Sequence, residues 1–295
     1  MTILSAKIER FPEMKRLRIS AISYLNTAPL MWDFEHGRAG ADFDISYTVP
    51  SRCAASLQDG SADIGIIPAA AYANIPELLI LPGVAIASRQ AVQSILLVSK
   101  VPLQKIETVA LDSSSLTSVA LTKVLFAKWW GGERTFTSAE PNIDEMLATH
   151  DAGLVIGDPA LRIDRSRYVT FDLAEEWIRL TGKPFVFAFW AVRRAAQTNT
   201  GSDPDLAAIF QRSRDHGLAP PNLDKIAHEW APRVGLSEAE VRSYLTENIY
   251  YQLDAECLEG LKLFYQYAQE CSALPAAPVL HFLDVASAAT LQKAV

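Results

Sequence analysis

The octapeptide Ser23-Tyr24-Leu25-Asn26-Thr27-Ala28-Pro29-Leu30 places a carboxamide and hydroxyls where a strand gives way to a helix. Neither group type is a strong base near neutral pH. Both hold, orient and donate hydrogen bonds, and beside the free N–H groups of a helix start they suit a small anion. Two further turns share the design. Pro50-Ser51 and Asp112-Ser113-Ser114-Ser115-Leu116-Thr117 each set hydroxyls at the head of a helical pattern, where the helix dipole favours negative charge. Any one of them serves equally as a plain helix cap. Three in one chain favour a carboxylate-binding cleft, with Tyr24, Thr27, Ser51, Ser113, Ser114, Ser115 and Thr117 as candidate contacts. Asp158, in Gly157-Asp158-Pro159 at a strand's carboxyl end, has two readings. It is an acid or base facing the ligand side of an α/β sheet, or a cap with Pro159 in the first helical position.

The elements that must position these residues alternate between short apolar runs and helical stretches, the grammar of an α/β protein. Residues 17–23, 45–49 and 63–68 read as strands, and Pro50 opens a helix that Gly60 closes. The apolar run 94–99 leads to a second series, with strands at 108–111 and 154–158 and a helix over 117–130 ended by Gly131-Gly132. The stretch 184–192 is apolar enough for a central strand returning to the first lobe. Two lobes are therefore expected, 1–97 with 192–295 and 98–191, joined by two crossing strands that act as a hinge. Helical patterns fill 205–216, 222–234 and 255–271, and Ser237 with Glu240 forms a capping box. The Ala- and Pro-rich tail from Ser272 reads as a surface segment. Phe185, Phe187, Phe189 and Trp190 read as core packing rather than a pocket wall, and Arg52 and Arg89 are possible carboxylate partners.

Bulk properties exclude several classes. With 295 residues, 49% hydrophobic, 21% charged and a net charge of -7, the chain has a full core and no broad basic field for nucleic acid or an anionic membrane. No apolar run approaches a membrane span. Charges are mixed through residues 1–19, which leaves no signal-peptide core, so a soluble cytoplasmic protein is expected. Cys53, Cys257 and Cys271 form no C-x-x-C pair, and the five histidines are scattered, so no metal site is indicated. Nucleotide, zinc-protease and serine-hydrolase motifs are absent. An enzyme built this way is expected to need no cofactor. The sequence does not indicate an oligomeric state.

Taken in order, Ser23 through Leu30, Val49-Pro50-Ser51 with 63–68, Val109 through Leu121 and Ile156 through Leu161 resemble the chorismate dehydratase (MqnA) family of menaquinone biosynthesis. The stretches 172–177 and 181–188 match as well, and the likeness covers about residues 17–270. It implies a periplasmic-binding-protein-like type II fold used as an enzyme. It also implies dehydration of chorismate to 3-[(1-carboxyvinyl)oxy]benzoate, the first step of the futalosine route. A sister enzyme later in that route shares the fold but lacks the Ser-Tyr-Leu-Asn turn. By the same resemblance Asn26 and Ser94 stand nearest the reacting groups, and the proton acceptor is either a substrate carboxylate or Asp158. The rival reading is a cytoplasmic binding module for a small carboxylate, without catalysis.

Overall fold

The structure, a computed structural model, describes residues 16–197 and 205–284. Among the described residues ten strands form two five-stranded sheets of matching topology. The first contains β1 (Leu17–Ile22), β2 (Phe43–Thr48), β3 (Ile64–Pro68), β4 (Leu78–Ser88) and β10 (Phe185–Arg193), in the order β2-β1-β3-β10-β4. The second contains β5 (Ile95–Ser99), β6 (Thr108–Asp112), β7 (Thr135–Ala139), β8 (Ala152–Ile156) and β9 (Val169–Asp172), in the order β7-β6-β8-β5-β9. In each, three parallel strands are followed by one antiparallel strand that has just arrived from the other lobe. β3, β5 and β8 are buried at every residue, which is why they read as unbroken apolar runs rather than alternating ones.

Each strand belongs to one sheet only, and this moves the lobe boundaries. β5 lies wholly in the second sheet and β10 wholly in the first. The chain therefore crosses in the short segments 89–94 and 182–184, not at 97/98 and 191/192. An apolar strand reads identically whichever sheet accepts it, so periodicity could not place the crossing. The tail is likewise less peripheral than expected. Phe282 bridges Ile80 and Leu283 donates its N–H to the Ile80 carbonyl, covering part of the β4 edge.

The C-terminal helices fasten onto the first lobe. Helix Leu206–Gly217 packs on the turn Leu25–Met31, and the approach is so close that a Cβ on Gly217 would lie 2.1 Å from the Pro29 carbonyl oxygen. Helix Pro220–Val234 is followed by Glu238–Ser243 with the expected capping box of Ser237 and Glu240. A π turn, Tyr244–Asn248, comes next. Helix Ala255–Glu270 packs on both β10 and helix Leu116–Leu125, so it touches both lobes. Phe185, Phe189 and Trp190 are fully buried in the core, as their spacing suggests. Among the described residues no helix is long and apolar enough to cross a membrane.

Candidate functional site

The carboxyl ends of β1, β3, β6 and β8 meet between the lobes, the usual ligand side of such sheets. There they line a pocket that is open to solvent on one side. Its polar lining is Tyr24 and Asn26 from the first lobe with Ser115, Thr117 and Ser118 from the second. Its apolar walls include Ile22, Pro68, Ile86, Ile156 and Phe187. Two of the three turns singled out in the sequence thus reach the pocket through polar side chains, while the Pro50-Ser51 turn contributes Pro50. Phe187 departs from its neighbours: it is a pocket wall, not core alone. No acid, histidine, lysine or arginine lines the pocket among the described residues.

The turns do more than face a ligand, because they bond the lobes to each other. Ser51 N–H donates to the Ser114 carbonyl at 3.1 Å. The Thr117 hydroxyl donates to the Phe187 carbonyl and accepts from Ala70 N–H, both at 3.0 Å, so its polar capacity is largely spent on the first lobe. Ser114 donates its hydroxyl and N–H to Asp112 Oδ1 at 2.6 and 2.9 Å. Burial raises the Asp112 carboxyl above its ordinary pKa. Ser113 is exposed and reaches toward Glu140 at 3.4 Å, away from the pocket. Three consecutive serines on a tight turn cannot all point one way, and sequence gives no means of choosing among them.

Tyr24 closes one side. Its ring lies against Gly157, where φ is +65° and a Cβ would meet ring atoms at 2.8–3.0 Å, and the Ser114 side chain approaches its hydroxyl. Burial raises the Tyr24 phenol above its ordinary pKa. A second opening is lined by Thr27, Glu35, His36, Tyr47 and Arg233 among others. Tyr24 and Ile22 line both spaces.

Asn26 is 9% exposed and forms part of the pocket surface. Thr27 donates to Asn26 Oδ1 at 3.3 Å, so Thr27 supports the amide and does not line the inner pocket. Ser94 is fully buried, on the crossing segment just before β5, and is not part of the pocket surface. Its position is tightly set. The preceding Gln93 has φ +65°, in the left-handed region that is uncommon for a residue with a side chain. The N–H groups of Val92 and Gln93 both donate to the Asp172 carboxylate. The Ser94 carbonyl accepts from Gly157 N–H at 2.7 Å, and its hydroxyl accepts from Tyr244 at 2.8 Å. Tyr244 carried no local sequence signal, since 150 residues separate it from its partner.

Asp158 does cap a helix, but not its own. Its Oδ1 accepts the N–H of Leu25, at 3.0 Å, from the opposite lobe, while the residue preceding its own helical turn is Ile156. Burial raises its carboxyl pKa, against the opposing effects of the Leu25 N–H and Arg162. A raised carboxyl favours the folded state most below the ordinary carboxylate range, and that contribution is lost as pH rises through the raised value. Asp158→Asn keeps the acceptor without the buried charge. We expect its melting temperature relative to wild type to be higher at pH 7 than at pH 4, with turnover within about threefold because the carboxylate is off the pocket surface. Thermal unfolding at the two pH values checks the first, and a pH-independent or reversed difference contradicts it.

The two arginines are elsewhere. Arg52 is exposed, and Arg89 is held by Asp254 and Glu256 over the Tyr250 ring. An anionic ligand is therefore left to hydroxyl, amide and N–H donors, the last from the opening turn of helix Leu116–Leu125, where N–H groups have no partner inside the helix.

Comparison with known proteins gives consistent matches over nearly the whole chain. A family model described as menaquinone biosynthesis matches residues 17–270. A chorismate dehydratase of Thermus thermophilus is 29% identical over 279 residues, 88% of this chain and 96% of that protein. Among solved structures, the alkanesulfonate-binding protein of Xanthomonas axonopodis pv. citri, bound to MOPS, superposes with TM-score 0.64 at 19% identity, covering 90% of this chain and 96% of that one. A Candida albicans protein with the generic periplasmic-binding-protein fold gives 0.59 at 12% identity, covering 94% and 100%. The fold is thus the two-lobed periplasmic-binding-protein type, as the sequence resemblance implied.

Proposed function

Since the chain belongs to the menaquinone-biosynthesis family along residues 17–270, we propose that it dehydrates chorismate to 3-[(1-carboxyvinyl)oxy]benzoate in the interlobe pocket. The observation that carries this reading is the match, over almost the full length of both chains, to a chorismate dehydratase. The pocket suits the chemistry. A carbon–hydrogen bond breaks at the ring carbon bearing the ether, the neighbouring carbon–oxygen bond breaks, a ring double bond forms and water leaves. The change is redox-neutral, and aromatisation favours the product.

The residues divide the work as follows. Hydroxyls of Ser115 and Ser118 with the helix start behind them line the pocket side where a substrate carboxylate is favoured. Phe187, Ile86 and Ile156 offer the ring an apolar surface. To Asn26, the carboxamide on the pocket surface, we assign the holding of the departing oxygen. Since no side-chain base lines the pocket among the described residues, the acceptor we assign for the proton is the carboxylate that the substrate itself brings. The lobes are hydrogen-bonded to each other beside the site, and a ligand that displaces water between them strengthens each hydrogen bond to a dianion.

The test is incubation of purified protein with chorismate, following its loss and the appearance of the aromatic enolpyruvyl ether by chromatography. Stoichiometric conversion at a rate proportional to enzyme is expected. Saturable binding without conversion contradicts the proposal and favours a binding module.

A further inference from the structure

One polar group near the pocket comes from the C-terminal helical segment. Tyr244 begins the π turn Tyr244–Asn248 between the C-terminal helices. Such turns insert an extra residue into a helical path and re-aim a side chain. Its ring is 4% exposed, and its hydroxyl donates to Ser94 Oγ at 2.8 Å. The Asn26 side chain lies near the same hydroxyl, while burial above all, together with the charges of Asp158 and Asp172, keeps the phenol protonated. Thr27 donates to Asn26 Oδ1, which leaves the amide N–H groups as donors. Tyr244 spends its one hydrogen on Ser94, and the Ser94 hydroxyl, serving as acceptor, retains its own hydrogen to donate.

We infer that Tyr244 is a positioning residue for the dehydration, its hydroxyl holding Ser94 on the crossing segment. The inference rests on the dehydratase reading. It adds a role for the C-terminal segment, since the same hydroxyl ties that segment to the hinge. A linked series of this kind polarises along its length, so the hydroxyl matters although it does not line the pocket.

Tyr244→Phe retains the buried ring and removes the hydrogen bond. We expect kcat to fall about tenfold with KM within about twofold, and the same substitution in a Ser94→Ala background to lower kcat by less than about twofold further, because its partner is already gone. A purely structural tyrosine gives multiplicative losses in the two backgrounds. Incorporating 3-fluorotyrosine at position 244 keeps both packing and bond while strengthening the donor, so it reports even where phenylalanine fails to fold, and it should shift kcat without shifting KM. Normal kcat in these variants, or fully multiplicative losses, overturns the inference while leaving an active wild type as a dehydratase. A wild type that does not convert chorismate overturns both.

Discussion

Replacing Asn26 with alanine lowers kcat for chorismate by about 10²–10³, the range typical of deleting one preorganised donor at a site of developing charge, while ligand affinity falls much less. The expectation comes from position. Asn26 is the only carboxamide on the pocket surface among the described residues, and Thr27 donates to its Oδ1. Its amide is therefore oriented before the substrate arrives and needs no reorganisation during the reaction. Asn26→Asp separates this role from simple binding. It is close to the same shape but places a negative charge in a pocket without a cationic side chain among the described residues, so it should weaken binding of a dianion as well as turnover. Steady-state kcat and KM beside calorimetric affinity measure the split. A kcat within about threefold of wild type for Asn26→Ala removes the residue from the mechanism.

Gly157→Ala should be the most damaging single-methyl change near the pocket. The residue sits at φ +65°, and the new Cβ would meet Tyr24 Cε2, Cδ2 and Cζ at 2.8, 2.9 and 3.0 Å. The left-handed backbone alone costs about 1–2 kcal/mol for an alanine. The ring must also leave its place, and with it a wall that the pocket and the outer opening share. Gly182→Ala provides the control, because Gly182 has φ +68° and a methyl group added there would meet nothing within 4 Å. Both variants should lose a few degrees of melting temperature. Gly157→Ala alone should raise KM, by about tenfold, if the Tyr24 wall contributes roughly 1.4 kcal/mol to holding the ligand. Equal kinetics in the two variants would show that the Tyr24 wall contributes nothing to substrate binding.

Much of this site was legible because its parts are local. A strand, a polar turn and a helix start recur in sequence, and the resulting turns at Asn26 and Ser115 meet where the α/β grammar puts strand ends. What was not legible is pairing between distant segments. The Thr117 hydroxyl looked like a ligand donor, but its partners are backbone groups at Ala70 and Phe187. Asp158 looked like a local cap or a base, and it caps a turn 133 residues away. Ser113 points outward because the turn, not the composition, decides which serine faces in. The crossing points shifted for the same reason, since the apolar pattern of β10 carries no record of which sheet receives it. Tyr244 is the extreme case: a tyrosine in an ordinary helical pattern becomes a site neighbour only through the packing of the C-terminal segment on both lobes.

These features converge on one claim, that chorismate loses water in the pocket between Asn26 and the start of helix Leu116–Leu125. A crystal structure of the wild-type protein soaked with chorismate tests it most directly, because substrate and product differ in shape. The account predicts a planar aromatic ring against Phe187, with Asn26 beside the carbon that has lost its hydroxyl and a carboxylate at the Ser115–Ser118 side. An intact, puckered chorismate ring in that pocket, or ligand only in the outer opening near His36 and Arg233, would contradict it.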